Sequence, residues 1–432
     1  MKKTLLLLAF SALSVSLQAQ TAREEIAANP YLSGSNYLDY DRQLPTTRLT
    51  PAPKGYEPYY LSHYGRHGSR WLISKHDYTD VIDALVKASK QGQLTAEGQE
   101  VLSKMERFYP TTEKRLGDLT TVGERQHHGI GRRLTRNFPE IFMKKGVAVD
   151  ARSTVVPRCI LSMMAECEEL QGANPTIRIH NDVSESLQYY LNQSWPDLLR
   201  SASRKGRRVR EGYNRRYTHP ERICSLLFND PKWVADSIDA GHFMRRLFDV
   251  ATNMQSHDTD IELLSLFTTD ELYDQWRIRN VGWFLDYGSS PLTDNLMPFS
   301  QANLLHNIIN TADTVSQVQA TLRFGHEVCV MPLACLLEMG DCGKSYDNLD
   351  SLDVYWRNYR IFPMACNIQL VFYRPKKGRE GDILVKAMLN EREVSLPAET
   401  TQWPYYKWTD LRNYYVWKLG EYETRLVESE KK

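Results

Sequence analysis

The chain has 432 residues, 42% hydrophobic and 25% charged, which suffices for a large buried core and is ordinary for a globular protein. Its formal net charge is +1, from 54 basic and 53 acidic side chains. A charge this close to zero excludes general electrostatic attraction to nucleic acids or membrane surfaces, so an anionic ligand must be bound by a local cluster of basic residues.

The N-terminal segment, residues 1–19, differs from the rest of the chain. Two lysines, Lys2 and Lys3, precede an apolar run from Leu5 to Leu17, and the small residue Ala19 closes the segment. The run is too short to span a bilayer, and this order of features is typical of a secretory signal peptide. We therefore expect a periplasmic or secreted mature protein without stable membrane insertion. The alternative is a buried first helix.

The remaining chain alternates between strand and helix patterns. Residues 20–55 are polar, with scattered Pro and Gly, and predict an extended lead-in. Short β-prone runs predict strands at 59–64, 146–151, 177–180, 320–324, 368–373 and 383–389. Apolar residues at helical spacing predict helices at 78–91, 95–108, 120–137, 299–312 and 328–338.

The middle of the chain, from 187 to 292, has mostly helical periodicity and no clear strands. Because strands and helices alternate on both sides of it, we predict an α/β fold: a three-layer Rossmann-like core interrupted by a mainly α-helical cap domain. The predicted core comprises residues 20–186 and 293–432, and the predicted cap comprises residues 187–292. Folds of this type bind ligands at the carboxyl ends of their strands.

The first predicted strand ends at a basic motif, Arg66-His67-Gly68-Ser69-Arg70. The planar guanidiniums of Arg66 and Arg70 match phosphate oxygens with paired donors. A neutral imidazole between them can attack phosphorus and form a phosphohistidine, which divides one difficult displacement into two easier ones. Gly68 allows the backbone to come close to a ligand. The motif predicts a phosphate site with His67 as the nucleophile, and the alternative is a surface cluster of charges.

Later segments can contribute to the same site. Thr120 can cap a predicted helix, and Arg158 lies soon after the second strand, at the start of another helix. The run RFGHE at 323–327 ends a later strand and begins an apolar helix. At that position His326 can donate to phosphate and Glu327 can protonate the leaving oxygen.

Together these motifs resemble the histidine acid phosphatases, branch two of the histidine phosphatase superfamily, and within it bacterial relatives of the multiple inositol polyphosphate phosphatases. The resemblance covers most of the chain outside the cap, in segments 63–70, 119–134, 153–162 and 322–333. It implies a phosphomonoester hydrolase with His67 as nucleophile and Glu327 as proton donor. It also implies a phosphate site formed by Arg66, Arg70, Arg158 and His326.

The chain departs from that branch at the second histidine. Those relatives typically read His-Ala-Glu, whereas this chain reads His326-Glu327-Val328, with the acid one residue earlier. One residue rotates a side chain by about 100° at a helix start, but Glu327 can still reach the site, as the Asp of other histidine acid phosphatases does. The difference bears more on substrate choice than on reaction type. No metal or other cofactor is expected, because three arginines supply the positive charge that a cation would provide.

The predicted cap contains a run of basic residues between 200 and 216, where the only acid is Glu211. The basic residues are Arg200, Arg204, Lys205, Arg207, Arg208, Arg210, Arg215 and Arg216. Such a run can collect a highly phosphorylated substrate, and we predict Lys205 and Arg208 as substrate-binding residues. The alternative is a solvated helix face that binds no ligand.

The sequence thus predicts a secreted phosphatase for a small phosphorylated substrate, with myo-inositol polyphosphates such as phytate as the leading hypothesis. A broad-specificity acid or sugar-phosphate phosphatase is one alternative. A non-catalytic phosphate-binding relative is another, because the motif at the second histidine is altered. No nucleic-acid partner is expected, and the sequence does not define the oligomeric state.

Overall fold

The structure is a computed structural model that describes residues 20–44 and 48–431, so the predicted signal peptide at 1–19 lies outside the described residues. Within those two ranges, no helix combines the length and the apolar character that crossing a bilayer requires.

The described residues contain eight strands in one mixed sheet. They are β1 Tyr56–Arg66, β2 Ala148–Ser153, β3 Arg178–Asp182, β4 Ala320–Gly325, β5 Asn367–Pro375, β6 Leu384–Leu389, β7 Arg392–Val394 and β8 Tyr406–Lys407. Their order is β3-β2-β4-β1-β5-β6-β7, with β8 paired to β6. The strands from β3 to β1 in this order are parallel, and the others pair antiparallel. All the predicted strands are present, whereas β7 and β8 are too short to give a sequence pattern.

Helices account for most of the other regular structure. In chain order they are α1 Ala22–Ala28, α2 His76–Lys90, α3 Ala96–Phe108, α4 Thr121–Asn137, α5 Pro139–Phe142, α6 Pro157–Ala173, α7 Gln188–Leu191, α8 Asp197–Tyr217, α9 Glu221–Leu227, α10 Pro231–Ser237, α11 Ala240–Asn253, α12 Thr269–Tyr287, α13 Ala302–Thr314, α14 Glu327–Leu336, α15 Leu352–Tyr355, α16 Asn358–Ile361 and α17 Trp408–Glu430. The predicted helices occur with their ends shifted by a few residues.

The prediction of an extended lead-in is wrong for most of the described part of 20–55. That segment forms α1 and two 3₁₀ turns, Pro30–Tyr37 and Tyr40–Gln43. The first turn of α1 is stabilised by a capping box, in which the side chains of Thr21 and Glu24 bond reciprocally to main-chain N–H groups. These pieces are too short to give a helical periodicity that sequence inspection can detect.

Helices cover both faces of the sheet and so form three layers. Tyr60 and Tyr64 of β1 pack into a core with α13, α14 and α17, whereas Leu61 packs with α4 and α6 on the opposite face. In β5, Phe372 belongs to the first core and Val371 to the second. The central strands β1, β4 and β5 are buried on both faces, as expected for a sheet between two helical layers, although they also carry buried polar side chains such as Ser62, Arg323 and Gln369. The predicted α/β class and layered core are confirmed.

The segment 187–292 contributes its helices to two hydrophobic cores. Leu199 of α8 and Phe284 of α12 join the core on one face of the sheet. Leu227 of α9 and Leu247 of α11 join a separate helical core, to which Leu85 of α2 also belongs. Sequence periodicity does not show that α2 and α3 pack with helices more than a hundred residues later in the chain. The domain boundaries at 187 and 292 stay a prediction.

The parallel strands bring distant segments to one edge of the sheet. Arg66 at the end of β1 is paired with Gly325 of β4, and Ser153 at the end of β2 is paired with Phe324 of β4. The residues that follow these strand ends, His67, Thr154 and His326, therefore lie next to one another. The turn before β5 borders the same edge, where the N–H of Ala365 donates to the carbonyl of His67 at 3.1 Å.

Candidate active site

His67 lies directly beyond β1 and is fully buried. Its main-chain N–H donates to the carbonyl of Gly325 at 3.0 Å, which fixes it beside the end of β4. Its Nδ1 lies 2.8 Å from the carbonyl oxygen of Gly68. Because a carbonyl oxygen can only accept, Nδ1 carries the proton of the neutral ring, and the lone pair is on Nε2.

The environment of His67 favours the neutral imidazole. Burial holds the pKa of His67 well below its usual 6.5, and the positive charges of Arg66 and Arg158 act in the same direction. Its Nε2 has no hydrogen-bond partner among the described residues and lies 3.7 Å from Glu327 Oε2. The ring thus has the protonation state and the unpaired Nε2 lone pair that a nucleophile requires.

Arg66 is held by main-chain oxygens. Its Nη1 donates to the carbonyl of Asn36 at 2.5 Å and, more weakly, to those of Phe362 at 3.3 Å and Pro363 at 3.1 Å. The guanidinium is fully buried, and its Nη2 has no hydrogen-bond partner in the described part of the chain. One end of the guanidinium is therefore anchored, and the other offers a donor.

Arg70 and Arg158 complete a group of three guanidiniums. Both are close enough for their charges to lower the pKa of His67. Arg158 lies in the first turn of α6, as predicted, and its Nη1 donates to the carbonyl of Gly117 at 3.2 Å. The Nε atoms of Arg70 and Arg158 are buried and, across residues 20–44 and 48–431, have no hydrogen-bond partner. Buried donors need acceptors, and the oxygens of a phosphate group match converging guanidiniums.

Glu327 begins α14 and its side chain reaches this group. Its Oε2 lies 3.1 Å from Arg66 Nε. Burial alone would favour the neutral carboxyl, but the charges of Arg66 and Arg70 outweigh it and lower the pKa of Glu327 to about 2. The shift of the acid by one residue in the His-Glu-Val motif therefore leaves it within reach of His67.

His326 is the N-cap residue of α14 and lies beside His67. The centroids of the two imidazole rings are 5.6 Å apart, and His326 Nε2 lies 3.5 Å from Thr154 Oγ1. Burial lowers the pKa of His326 to about 4. The structure thus brings Arg66, His67, Arg70, Arg158, His326 and Glu327 together, although their roles in binding and catalysis stay predictions.

The same side chains raise the question of a metal ion. One ligand atom from each of His67, His326 and Glu327 lies within 4.8 Å of the others, which is close enough for shared coordination. However, Glu327 is already paired with Arg66, and two further guanidiniums lie nearby. Positive charge in this environment would be repelled and a phosphate would be attracted. The cluster fits an anion better than a cation.

The loop after β1 packs on the N-terminus of α4. Thr120 caps α4, as predicted, since its Oγ1 accepts from the N–H of Gly123 at 3.1 Å. A Cβ atom on Gly68 would lie 2.3 Å from the carbonyl oxygen of Gly123. Gly68 therefore has a packing role, since two main chains touch there and a side chain would separate them. The approach of its backbone to a ligand stays a prediction.

Lys205 and Arg208 lie on α8, outside the cluster. Lys205 Nζ pairs with Asp294 Oδ2 at 2.6 Å, and its side chain is 57% exposed. No hydrogen bond or ion pair in the described residues joins either residue to His67 or to the three arginines around it. Their assignment as substrate-binding residues stays a prediction.

Asn36 contacts the cluster and was missed by the sequence interpretation. Its Nδ2 donates to Glu327 Oε1 at 3.4 Å, and its carbonyl accepts from Arg66. It lies in the 3₁₀ turn Pro30–Tyr37, far from every motif that the sequence offers. A lone Asn in a polar segment gives no signal of such a contact.

The layered fold occurs in solved phosphatase structures. The multiple inositol polyphosphate phosphatase of Bifidobacterium longum, solved in complex with inositol hexasulfate, matches with a TM-score of 0.71 and 19% identity over 88% of this chain and 96% of that one. The phytase of D. castellii matches with a TM-score of 0.68 and 14% identity over 94% and 89%. The apo form of Hafnia alvei phytase matches with a TM-score of 0.54 and 13% identity over 85% and 98%.

The fold of this chain is therefore that of the inositol polyphosphate phosphatases and phytases named above. The resemblance stated from the motifs is confirmed at the level of the fold. No family model and no curated protein matches the sequence. At these low identities, the chemistry has to be argued from the residues of this chain.

Proposed function

We propose that this chain is a secreted phosphatase that hydrolyses phosphomonoesters through a phosphohistidine on His67, with myo-inositol polyphosphates such as phytate as substrates. The observation that carries the proposal is the lone pair on the buried Nε2 of a neutral imidazole, 3.7 Å from the carboxylate of Glu327 and near three guanidiniums. The fold shared with an inositol polyphosphate phosphatase and two phytases supports this proposal.

In the first step, the Nε2 lone pair of His67 forms an N–P bond while the ester P–O bond breaks. The guanidiniums of Arg66, Arg70 and Arg158 stabilise the charge on the phosphoryl oxygens, where it develops. Glu327 gives a proton to the departing ester oxygen. The alcohol leaves, and the phosphoryl group stays on the histidine.

Glu327 has to be protonated for this step, although the arginines hold its pKa at about 2. A bound phosphate group brings negative charge against the same guanidiniums and so offsets the effect that keeps the carboxyl ionised. Binding of the substrate therefore raises the pKa of Glu327, and an ester that binds as its monoanion supplies the proton.

In the second step, a water molecule attacks phosphorus on the side that the alcohol has left. Its proton goes to the carboxylate of Glu327, and the electrons of the N–P bond return to Nε2 of His67. Inorganic phosphate leaves, and both residues regain the state in which they began the first step.

Release of inorganic phosphate from p-nitrophenyl phosphate and phytate, in the presence of a chelator, tests the proposal. We expect hydrolysis by the wild type and a loss of at least about a thousandfold in His67→Ala, because the nucleophile is removed. His76→Ala is the matched control, since His76 is an exposed histidine on α2. Equal activity of wild type and His67→Ala would refute the proposal.

Two further measurements separate the alternatives. Rates on phytate, glucose 1-phosphate and a nucleotide distinguish an inositol polyphosphate phosphatase, which should prefer phytate, from a broad-specificity enzyme with similar rates on all three. Rapid quenching should trap a phosphohistidine on His67. A chain that binds phosphate but yields neither product nor phosphohistidine would be a non-catalytic relative.

Export is part of the proposal and rests on the sequence alone. The order of two lysines, an apolar run and a small residue within 1–19 supports it. N-terminal sequencing of the mature protein should begin at Gln20. Recovery of the intact N-terminus from a soluble cell extract would contradict export.

A further inference from the structure

Asn36 contacts two residues of the candidate active site, one with its side chain and one with its backbone. Its Nδ2 lies 3.4 Å from Glu327 Oε1, and its carbonyl oxygen lies 2.5 Å from Arg66 Nη1. The residue is 8% exposed, so water competes little for either contact. It is thus placed to affect how the carboxylate and the guanidinium are oriented.

The orientation of the Asn36 amide follows from the chemistry of its neighbour. Glu327 is ionised when its pKa is held low, so both of its oxygens accept hydrogen bonds. The NH₂ group of Asn36 must therefore face Glu327, because its carbonyl oxygen would be repelled. The amide binds Oε1 and leaves Oε2 as the oxygen nearest His67.

The backbone before Asn36 has an uncommon conformation that directs it into the site. Ser35 has φ 57° and ψ −119°, in a region that residues with a side chain rarely adopt. Such a conformation persists only when its surroundings stabilise it, and it is common next to functional sites. It sets the direction in which the chain enters Asn36, whose carbonyl accepts from the guanidinium of Arg66.

We propose that Asn36 is a positioning residue that holds the carboxyl group of Glu327 with Oε2 turned toward His67. The inference rests on the proposed function, since it names the residue that orients the proton donor. With Oε1 accepting from the amide, Oε2 lies beside Arg66 Nε at 3.1 Å and 3.7 Å from His67 Nε2, on the side of the group that His67 attacks. Without Asn36, the carboxyl can rotate and present either oxygen.

The test compares two esters that differ in their need for a proton. Glycerol 2-phosphate has a poor leaving group and needs protonation, whereas p-nitrophenolate leaves unaided. We expect Asn36→Ala to lower kcat on glycerol 2-phosphate about tenfold, as misplacement of a catalytic group does, and kcat on p-nitrophenyl phosphate less than about threefold. Equal losses on both esters would show a structural role and overturn the proposal.

A double-mutant cycle shows whether Asn36 acts through Glu327. Glu327→Gln should reduce kcat on glycerol 2-phosphate more than Asn36→Ala does, and adding Asn36→Ala to it should change nothing further. Losses that multiply would mean that the two residues act independently. Asn29→Ala is the matched control from the same segment and should behave as the wild type on both esters.

Asn36→Asp keeps the volume of the side chain and covers the case in which Asn36→Ala does not fold. The new carboxylate cannot donate an N–H, and its negative charge should raise the pKa of Glu327. In the pH profile of kcat/KM, the fall in activity that disappears in Glu327→Gln reports the ionisation of Glu327. In Asn36→Asp this fall should therefore occur at higher pH. A fall at unchanged pH in a folded variant would overturn the proposal.

Failure of this inference differs from failure of the proposed function. If wild type and His67→Ala have equal activity, the phosphatase assignment is wrong. If His67 is required but Asn36→Ala behaves as the wild type on both esters, the phosphatase assignment stands and the role of Asn36 is wrong.

Discussion

At the scale of single residues, the candidate site depends on which nitrogen of His67 carries the proton. The carbonyl of Gly68, 2.8 Å from Nδ1, leaves the lone pair on Nε2. Burial and the neighbouring arginines disfavour the imidazolium form, so the groups suited to bind phosphate also keep the proposed nucleophile neutral.

This arrangement predicts activity in acid. Because the pKa of His67 lies well below 6.5, the ring stays neutral until the pH falls to that lowered pKa. We expect kcat/KM for p-nitrophenyl phosphate at about pH 5 to stay within about twofold of its value at pH 6.5, after correction for ionisation of the ester, whereas an ordinary imidazole would be only about 3% neutral. A fall in kcat/KM on acidification, with a midpoint near pH 6.5, would contradict this prediction.

The contiguous motifs made most of the cluster predictable. Arg66, His67 and Arg70 lie within five residues at a strand end, and Glu327 directly follows His326 at the start of a helix. The contact of Asn36 with Glu327 was not predictable, because the two residues are 291 positions apart in the sequence. No local pattern encodes a contact at that separation.

At the scale of elements, the position of His67 depends on how closely the loop after β1 approaches α4. A Cβ on Gly123 would lie 2.3 Å from the carbonyl oxygen of Ser69 and 2.6 Å from its nitrogen. Such distances are impossible between real atoms, so the main chains would have to separate. The strand and helix could be predicted from periodicity, but their main-chain contact could not.

Gly123→Ala should therefore impair both stability and catalysis. We expect a loss of about 1–3 kcal/mol in the free energy of unfolding, as for overpacking, together with a fall in kcat as His67 is displaced. Denaturant unfolding and phosphate release measure the two effects. Gly172→Ala on α6 is the matched control, since no atom lies within 4 Å of its added Cβ, and it should be neutral or stabilising. Equal behaviour of the two variants would disprove the close contact.

At the scale of the whole molecule, charge is unevenly distributed although the total is only +1. The basic run predicted for the cap lies on one helix, α8, where several cations already have carboxylate partners. Arg200 pairs with Asp197, and Arg216 pairs with Asp350. Such pairing is what a solvated face shows, and it is also compatible with cations that exchange a carboxylate for a substrate phosphate.

Variants of α8 distinguish these two interpretations. We expect Lys205→Ala and Arg208→Ala each to raise KM for phytate about fivefold at low salt, the scale of an exposed ion pair, without changing KM for p-nitrophenyl phosphate, which has a single phosphate. Lys232→Ala, on the exposed face of α10, is the matched control. Unchanged KM values for phytate in both variants would identify α8 as a solvated face.

The anchoring of Arg66 has a consequence for truncated chains. Its Nη1 atom donates to main-chain carbonyls from two distant parts of the chain, residue 36 and residues 362 and 363. A polypeptide that ends before residue 362 contains His67 but lacks two of the three carbonyls that hold the neighbouring cation. Truncation from the C-terminal end should therefore loosen a group beside His67, even though the truncated residues lie far from it in the sequence.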